Sequence, residues 1–429
     1  MVLPESVALG IGVEEDAWVE GLLELVDIAR DEITNDVAEL EEQRNRFAAE
    51  KKYRVADTTE KIINNIKGRD ILGYLGNKNI LPKYGFPTDS VELRTAFTGD
   101  KSGSKVELSR DLSQAIYEYA PDSTLVAAGK LWTARGLYKM PGRELERYEY
   151  HTCDTCSGYW QARTDISAEC PHCGTVTSKP IRTSVIPIYG FTADHETQKP
   201  GSRPPKRSWS GATYVRKLPT VNNVKYTLEL ANGECIVTAG PRGEMSAVAD
   251  GPGKRGFTVC EWCGAGASKT RHAFLPKHIN PMTRKECSGP SQSLDLVYNF
   301  QTDLCVLEFH SPGASKDYNA WLSLLYAIVE SACEVLEISR RDIDGSLHPT
   351  GVNSWSLVLF DRVPGGAGNV LLIEKNIDKV LKAAMARVSR CDCGEETSCY
   401  RCLRSYENQR FHDQIKRGDA LSLLREMTL

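Results

Sequence analysis

Apolar and polar positions along this chain recur in two periods. Near the N-terminus the period is helical. Trp18, Leu22, Leu25, Val26, Ala29 and Ile33 repeat at helical spacing and predict a helix over residues 14–50. Its second half, residues 36–52, mixes both charge signs, as the solvated face of an amphipathic helix does. A second helical segment is expected over 58–75. Pro82 and Pro87 then favour extended backbone through residues 80–87. Between 182 and 260 the period shortens toward two. There the run from Thr227 to Ala231, the pair Asn232-Gly233 and the run from Glu234 to Thr238 read as a hairpin with a type I′ turn. Residues 294–309 alternate again. Residues 317–339 return to helical spacing, with Trp321, Leu325, Ile328, Val329, Ala332 and Leu336 on the inward face. A strand over 354–361 leads into the glycine-rich turn Pro364-Gly365-Gly366-Ala367-Gly368 and a helix over 369–390. Tyr117, Tyr119 and Trp132 are expected to pack in a core or on a half-buried strand.

Cysteine changes the picture. Fourteen cysteines would suit a secreted disulfide protein only in a much shorter chain. Here ten of them fall in close pairs. Cys153-x-x-Cys156 and Cys170-x-x-Cys173 have zinc-ribbon spacing, and four thiolates close a tetrahedral shell, so the site is structural and His172 is not a ligand. Cys260-x-x-Cys263 and Cys287 need one more ligand. Two histidines are at hand, His272 and His278. Cys391, Cys393, Cys399 and Cys402 form two facing knuckles near the C-terminus. Two to three zinc ions per chain are expected. Cys235, Cys305 and Cys333 lie singly in apolar patterns and read as small core hydrophobes.

The order Asp361-x-Val-Pro-Gly-Gly-Ala-Gly368, then Cys391-x-Cys393, then Cys399-Tyr-x-Cys402-Leu-x-Ser-Tyr406-x-Asn408-Gln-x-x-His412 resembles the MrfA-like zinc-binding domain. That domain closes many superfamily-two DNA helicases, among them MrfA/YprA-type repair helicases and the DrmA/DrmB pair of the DISARM anti-phage system. Weaker likenesses at Ile71 to Pro87 and at Ser109 to Trp132 extend the resemblance over most of the chain, and its pattern implies His278, nine residues before Cys287, rather than His272 as the fourth ligand of the middle cluster. It implies a DNA-engaging module that works with a superfamily-two motor, as a C-terminal part or a partner subunit, in phage defence or DNA repair. The chain opens without a recognisable domain, which reads as the tail of a longer protein or one product of a split gene.

Charge adds a location. Residues 151–290 carry 18 Lys+Arg against 11 Asp+Glu, a net of +7 within a chain whose total is −4. The basic middle is the part expected to meet phosphate. Its loop holds Lys206, Arg207 and Trp209, candidate DNA contacts, with Arg401 and Arg404 of the terminal motif as further candidates. The expected architecture is α+β and multi-domain: a helical region 1–75, a mixed connector 76–147, a zinc-ribbon and β-rich basic domain 148–290, and the terminal zinc-binding α/β domain 291–429.

Several chemistries are missing. No G-x-x-x-x-G-K-[ST] occurs, and Asp194-His195-Glu196 is not a helicase acidic motif, so the chain is not expected to hydrolyse ATP alone. No catalytic residue is assigned. A nuclease built on Asp361 and His412 around a metal, or a zinc scaffold that binds only protein, are the alternatives. Asp361 and its glycine turn read either as a tight connection or as a phosphate cradle at a helix start. The longest near-apolar run, 321–329, is too short to span a bilayer, and no signal peptide is visible, so a cytoplasmic protein without membrane contact is expected.

Overall fold

A computed structural model describes residues 17–67, 71, 74–75, 89–95, 106–140, 143–201, 211–220, 223–269, 277–310 and 317–427. The chain divides into two compact units, Met1–Asp89 and Ser90–Leu429.

The first unit is a helical hairpin. Ala17–Ala49 and Tyr53–Lys67 are joined by a tight turn in which Lys51 takes a positive φ. Ala29, Leu40, Ala56 and Ile63 are buried between them, and Lys67 pairs with Glu41 at 2.8 Å. The second helix starts five residues earlier than the spacing predicts. Leu25, counted on the apolar stripe, is half exposed.

The second unit is mixed α+β, as the pattern implies. Its spine is the strand Ser291–His310. This strand runs antiparallel to Gly233–Ala249 over nearly its full length, interrupted by one bulge between Gly240 and Gly243. It also pairs with Ser354–Asp361, with Phe257–Cys260 and, in parallel, with Arg182–Val185. One eleven-stranded sheet therefore carries strands from the zinc-ribbon region and from the C-terminal region together. A five-stranded sheet and the two-stranded hairpin of His278–Ile279 with Glu286–Cys287 complete the strands. Tyr119 and Trp132 are 1% exposed in the core shared with the smaller sheet, and the indole of Trp132 donates to the Ala127 carbonyl.

Three elements depart from the sequence pattern. The helix Tyr318–Val335, capped by the Asp317 carboxylate on the Ala320 amide, is buried all round from Ala320 to Ala332, not on one face alone. Sheet strands and the last two helices enclose it, so its polar Ser323 and Ser331 are interior too. The helix expected over 369–390 is two helices, Asn369–Lys375 and Ile377–Ser389, broken at Asn376. The hairpin forms, but Leu230 pairs with Gly233, which puts Ala231 and Asn232 in the turn. Neither has a positive φ, which a type I′ turn requires at both positions; the positive φ, 128°, falls on Gly233. Cys235 and Cys305 are fully buried on neighbouring strands, and Cys333 is half-buried against the same core.

A buried charge joins the ribbon region to the spine. Asp295, 2% exposed, accepts both Nε and Nη2 of Arg182 at 2.8 and 2.6 Å and the Tyr150 hydroxyl at 2.8 Å. Removing one partner of such a pair strands the other charge. Arg182→Met is expected to lose about 3 kcal/mol of unfolding free energy, read from the denaturant midpoint. An unchanged midpoint would mean that Tyr150 alone satisfies the carboxylate.

Candidate metal centres

Three clusters of ligand atoms form, and within each all four atoms lie within 4.8 Å of one another. The first gathers Cys153, Cys156, Cys170 and Cys173, the second Cys260, Cys263, His278 and Cys287, the third Cys391, Cys393, Cys399 and Cys402. Zinc–sulfur bonds of about 2.3 Å imply tetrahedral sulfur–sulfur edges of about 3.8 Å. The measured edges are 3.6 and 3.6 Å in the first cluster and 3.5, 3.5, 3.6 and 3.8 Å in the third. In the second, Cys260 and Cys287 are 3.9 Å apart and His278 Nε2 lies 3.2 Å from Cys263 Sγ.

Local backbone explains how short segments reach this geometry. After Cys170-x-x-Cys173 and Cys260-x-x-Cys263 comes a glycine with positive φ, Gly174 at 69° and Gly264 at 74°. Each donates its amide back to the first cysteine's carbonyl, which closes the knuckle. After Cys153-x-x-Cys156 the positive φ falls on Ser157, at 60°, and the Cys153 amide donates to the Gly158 carbonyl. In the second cluster His278 and Cys287 are direct cross-strand partners of a hairpin, so nine residues of separation collapse to one rung. His272 lies outside the described residues. His172 stands aside from the first cluster and packs edge-on to His348, 5.0 Å between ring centres.

The electrostatics ask for a cation. Burial pushes Cys263 up to about 12 and also raises Cys156 and Cys402. Burial raises Cys173 as well, but Thr175 and the neighbouring thiols outweigh it and bring it down to about 6. Cys399 is brought down to about 7 against its burial by the Arg401 amide and the other three thiols. Four thiolates this close cannot coexist without positive charge among them. The donor sets are those of closed structural zinc sites, with no ligand position left for a substrate. They are compatible with two to three zinc ions.

A second layer holds the third cluster. The guanidinium of Arg387 donates to the Cys402 carbonyl at 2.7 Å. Arg417, buried, donates to the carbonyls of Cys393 and Val388 and so ties the knuckle to the helix Ile377–Ser389. Asn408, fully buried, bridges the Leu403 carbonyl and the Ser405 amide, and His412 Nε2 lies 3.0 Å from both Asn408 Oδ1 and the Ser405 carbonyl. At the first cluster, the Trp355 indole donates to the Cys156 carbonyl at 2.8 Å.

Residues 324–403, which contain the third cluster, match the family described as the MrfA Zn-binding domain. This part of the chain is an MrfA Zn-binding domain. Over 414 aligned residues the chain is 26% identical to the Druantia protein DruE of Escherichia coli (strain UMEA 4076-1), covering 83% of this chain and 22% of that protein. Among solved structures it is similar to the DUF1998 helicase MrfA bound to DNA, with 12% identity and a TM-score of 0.33, over 79% of this chain and 34% of that one. Against MrfA without DNA the figures are 11%, 0.34, 79% and 33%. The chain thus spans about a fifth of the curated relative and a third of the helicase chains.

Within the MrfA Zn-binding domain the Asp361 turn is not a phosphate cradle. Asp361, with no exposed surface, itself accepts from the amides of Ala367 at 2.6 Å and of Asn369 and Val370 at 3.1 Å. Asp303 takes the Gly368 amide at 3.0 Å. The amides that would greet an anion are occupied by the protein's own carboxylates. A side chain at Gly366 would run into the Asp303 carboxylate at 2.2 Å, which is why glycine stands there. Burial raises the pKa of both acids, and the amide bonds pull the other way. The nuclease alternative loses its metal ligand by the same bonds, and among the described residues Asp361 and His412 share no cluster. Nothing in the sequence pattern singles out Asp303, which sits in an alternating strand.

Of the candidate DNA contacts, Arg401 is exposed. Arg404 is half-buried and spends its guanidinium on the Ser398 hydroxyl and the His412 carbonyl. Lys206, Arg207 and Trp209 lie outside the described residues, as do residues 80–87. No helix among the described residues is long and apolar enough to cross a membrane.

Proposed function

We propose that the chain is a zinc-held, DNA-engaging module that works with a superfamily-two helicase motor in phage defence. The observation that carries this is the MrfA Zn-binding domain over residues 324–403, built around a four-cysteine cluster. The resemblance to the anti-phage Druantia protein DruE favours defence over repair, and a Druantia-like setting over a DISARM-like one. Zinc knuckles make a small-cored region rigid, the basic middle meets the DNA backbone, and the terminal domain docks on the motor and guides the unwound strand. ATP hydrolysis belongs to that motor, since this chain has no P-loop. Such work places the protein in the cytoplasm.

The test is DNA affinity across a salt series, by fluorescence anisotropy, with the chain alone and with a motor subunit added. Binding should weaken steeply with salt through counterion release. Replacing Lys206 and Arg207 by Ala should lower the log–log salt slope by about two, one per lost phosphate contact. A chain with no affinity for DNA at low salt would instead be a protein-binding zinc scaffold.

A further inference from the structure

Four buried or half-buried arginines of the C-terminal half fall into two groups. Arg340 is held by Glu330 at 2.7 Å and Asp344 at 3.1 Å, and Arg417 by two backbone carbonyls. Arg362 and Arg410 make no ion pair and no side-chain hydrogen bond with any described residue. The Nε of Arg410 is shielded from solvent without an acceptor, and its guanidinium lies 4.5 Å from the ring centre of Phe411. Shielding a guanidinium N–H from water without giving it an acceptor costs stability.

Tyrosines surround this charge. Tyr326 lies 5.6 Å from the Phe411 ring, and Tyr318 begins the same helix. Tyr214, on the strand Gly211–Lys217, stacks on Tyr159 with ring centres 4.6 Å apart. Tyr117 lies flat against Gly211, where an added Cβ would meet its ring at 2.0 Å. That strand reaches the next wall through Ser346, whose hydroxyl donates to the Thr213 carbonyl. The Arg410 charge acts on all four phenols, and Arg362 acts on Tyr117 and Asp344. Asp344 is already committed to Arg340 and the Gly345 amide. Asp250 borders the cluster beside Tyr117 and Tyr214, where Arg182 and Lys254 act on it. The hydroxyls of Tyr214, Tyr318 and Tyr326 have no hydrogen-bond partner among the described residues. Two unpaired guanidiniums and three unused hydroxyls from separate elements make a donor set without its acceptor.

We propose that Arg362 and Arg410, with the hydroxyls of Tyr214, Tyr318 and Tyr326, form a site for a backbone phosphate of a nucleic-acid strand. Guanidiniums present planar forks that match phosphate oxygens, and phenol rings beside them supply faces on which bases or sugars pack. The proposal rests on the DNA-engaging reading and names where one strand contact is made.

The test uses the full chain with Arg410→Met and Arg362→Met, which keep an apolar stem and remove the charge. Zinc content per chain serves as the folding control. A cation waiting for its anion predicts that Arg410→Met melts no lower than the parent, while affinity for an oligothymidylate of about twenty nucleotides falls about tenfold, the loss of one charge-assisted hydrogen bond. The salt slope should fall by about one for each arginine removed. If the parent binds the oligonucleotide and both variants bind it equally tightly, the site is overturned and the DNA reading stands. A lower melting temperature with unchanged affinity assigns Arg410 a structural role and also overturns it. No binding by the parent at low salt overturns the DNA reading itself.

Discussion

Cys402→Ser is expected to remove one zinc ion from the chain and unfold the MrfA Zn-binding domain. Cys402 has no exposed surface, and its sulfur sits 3.6 Å from Cys393 and 3.8 Å from Cys399, so a hydroxyl there leaves a shortened, weakly basic ligand in a closed site. Structural zinc contributes about 10–16 kcal/mol in small domains, against a total stability of about 5–15 kcal/mol for a folded domain. No other interaction in this region is of that size. The four ligands also hold the ends of elements that enclose the buried helix Tyr318–Val335, since Cys391, Cys402, Leu403 and Ile415 belong to the same core as Trp321 and Leu325. Mass spectrometry of the native chain should show one ion fewer than the parent, and near-ultraviolet circular dichroism should lose its aromatic signal. Cys333→Ser, outside every cluster, should change neither. Unchanged zinc content in Cys402→Ser would remove the terminal site from the reading.

Asp361→Ala is the second large effect. One carboxylate accepts three backbone amides at the start of the helix Asn369–Lys375, inside the protein. Alanine leaves all three without a partner, and each stranded amide costs about 1–3 kcal/mol. Relaxation and water entry recover part of this, so a loss of about 3–5 kcal/mol is expected. Asp361→Asn keeps one acceptor oxygen and should fall between the two. Asp303→Asn should cost less than Asp361→Ala, because it touches one amide and relieves the repulsion between neighbouring acids. Thermal melting of the zinc-loaded variants separates the cases. If Asp361→Ala melted like the parent, the turn would be held by its glycines alone.

The candidate metal clusters were legible because their chemistry is local. A C-x-x-C knuckle is a short backbone turn, so spacing alone carries Cys153 to Cys173 and Cys391 to Cys402, and the ordered motif around Asp361 and His412 carries the family resemblance. Helical and alternating periods likewise announced the N-terminal helices and the long strands, because each element's apolar face is written every three to four or every two residues.

What remained for the tertiary structure was every assignment that depends on distant partners. Periodicity reports that a helix has an apolar face, not how many neighbours surround it, so the complete burial of Tyr318–Val335 followed only from the sheet and helices packed on it. The glycine turn after Asp361 has the composition of an anion cradle, and only the fold showed that Asp361 and Asp303 fill it. His278 joins the second cluster because a hairpin sets it opposite Cys287. Arg404 and Arg410 look alike as basic residues in one motif. The first is spent on Ser398 and His412, and the second is left without an acceptor among tyrosines drawn from three separate elements. The sequence by itself marked the cysteine knuckles and most of the segments that form strands and helices. The packing of remote segments determined which of the remaining polar groups are satisfied, because hydrogen bonds between distant residues leave no period along the chain.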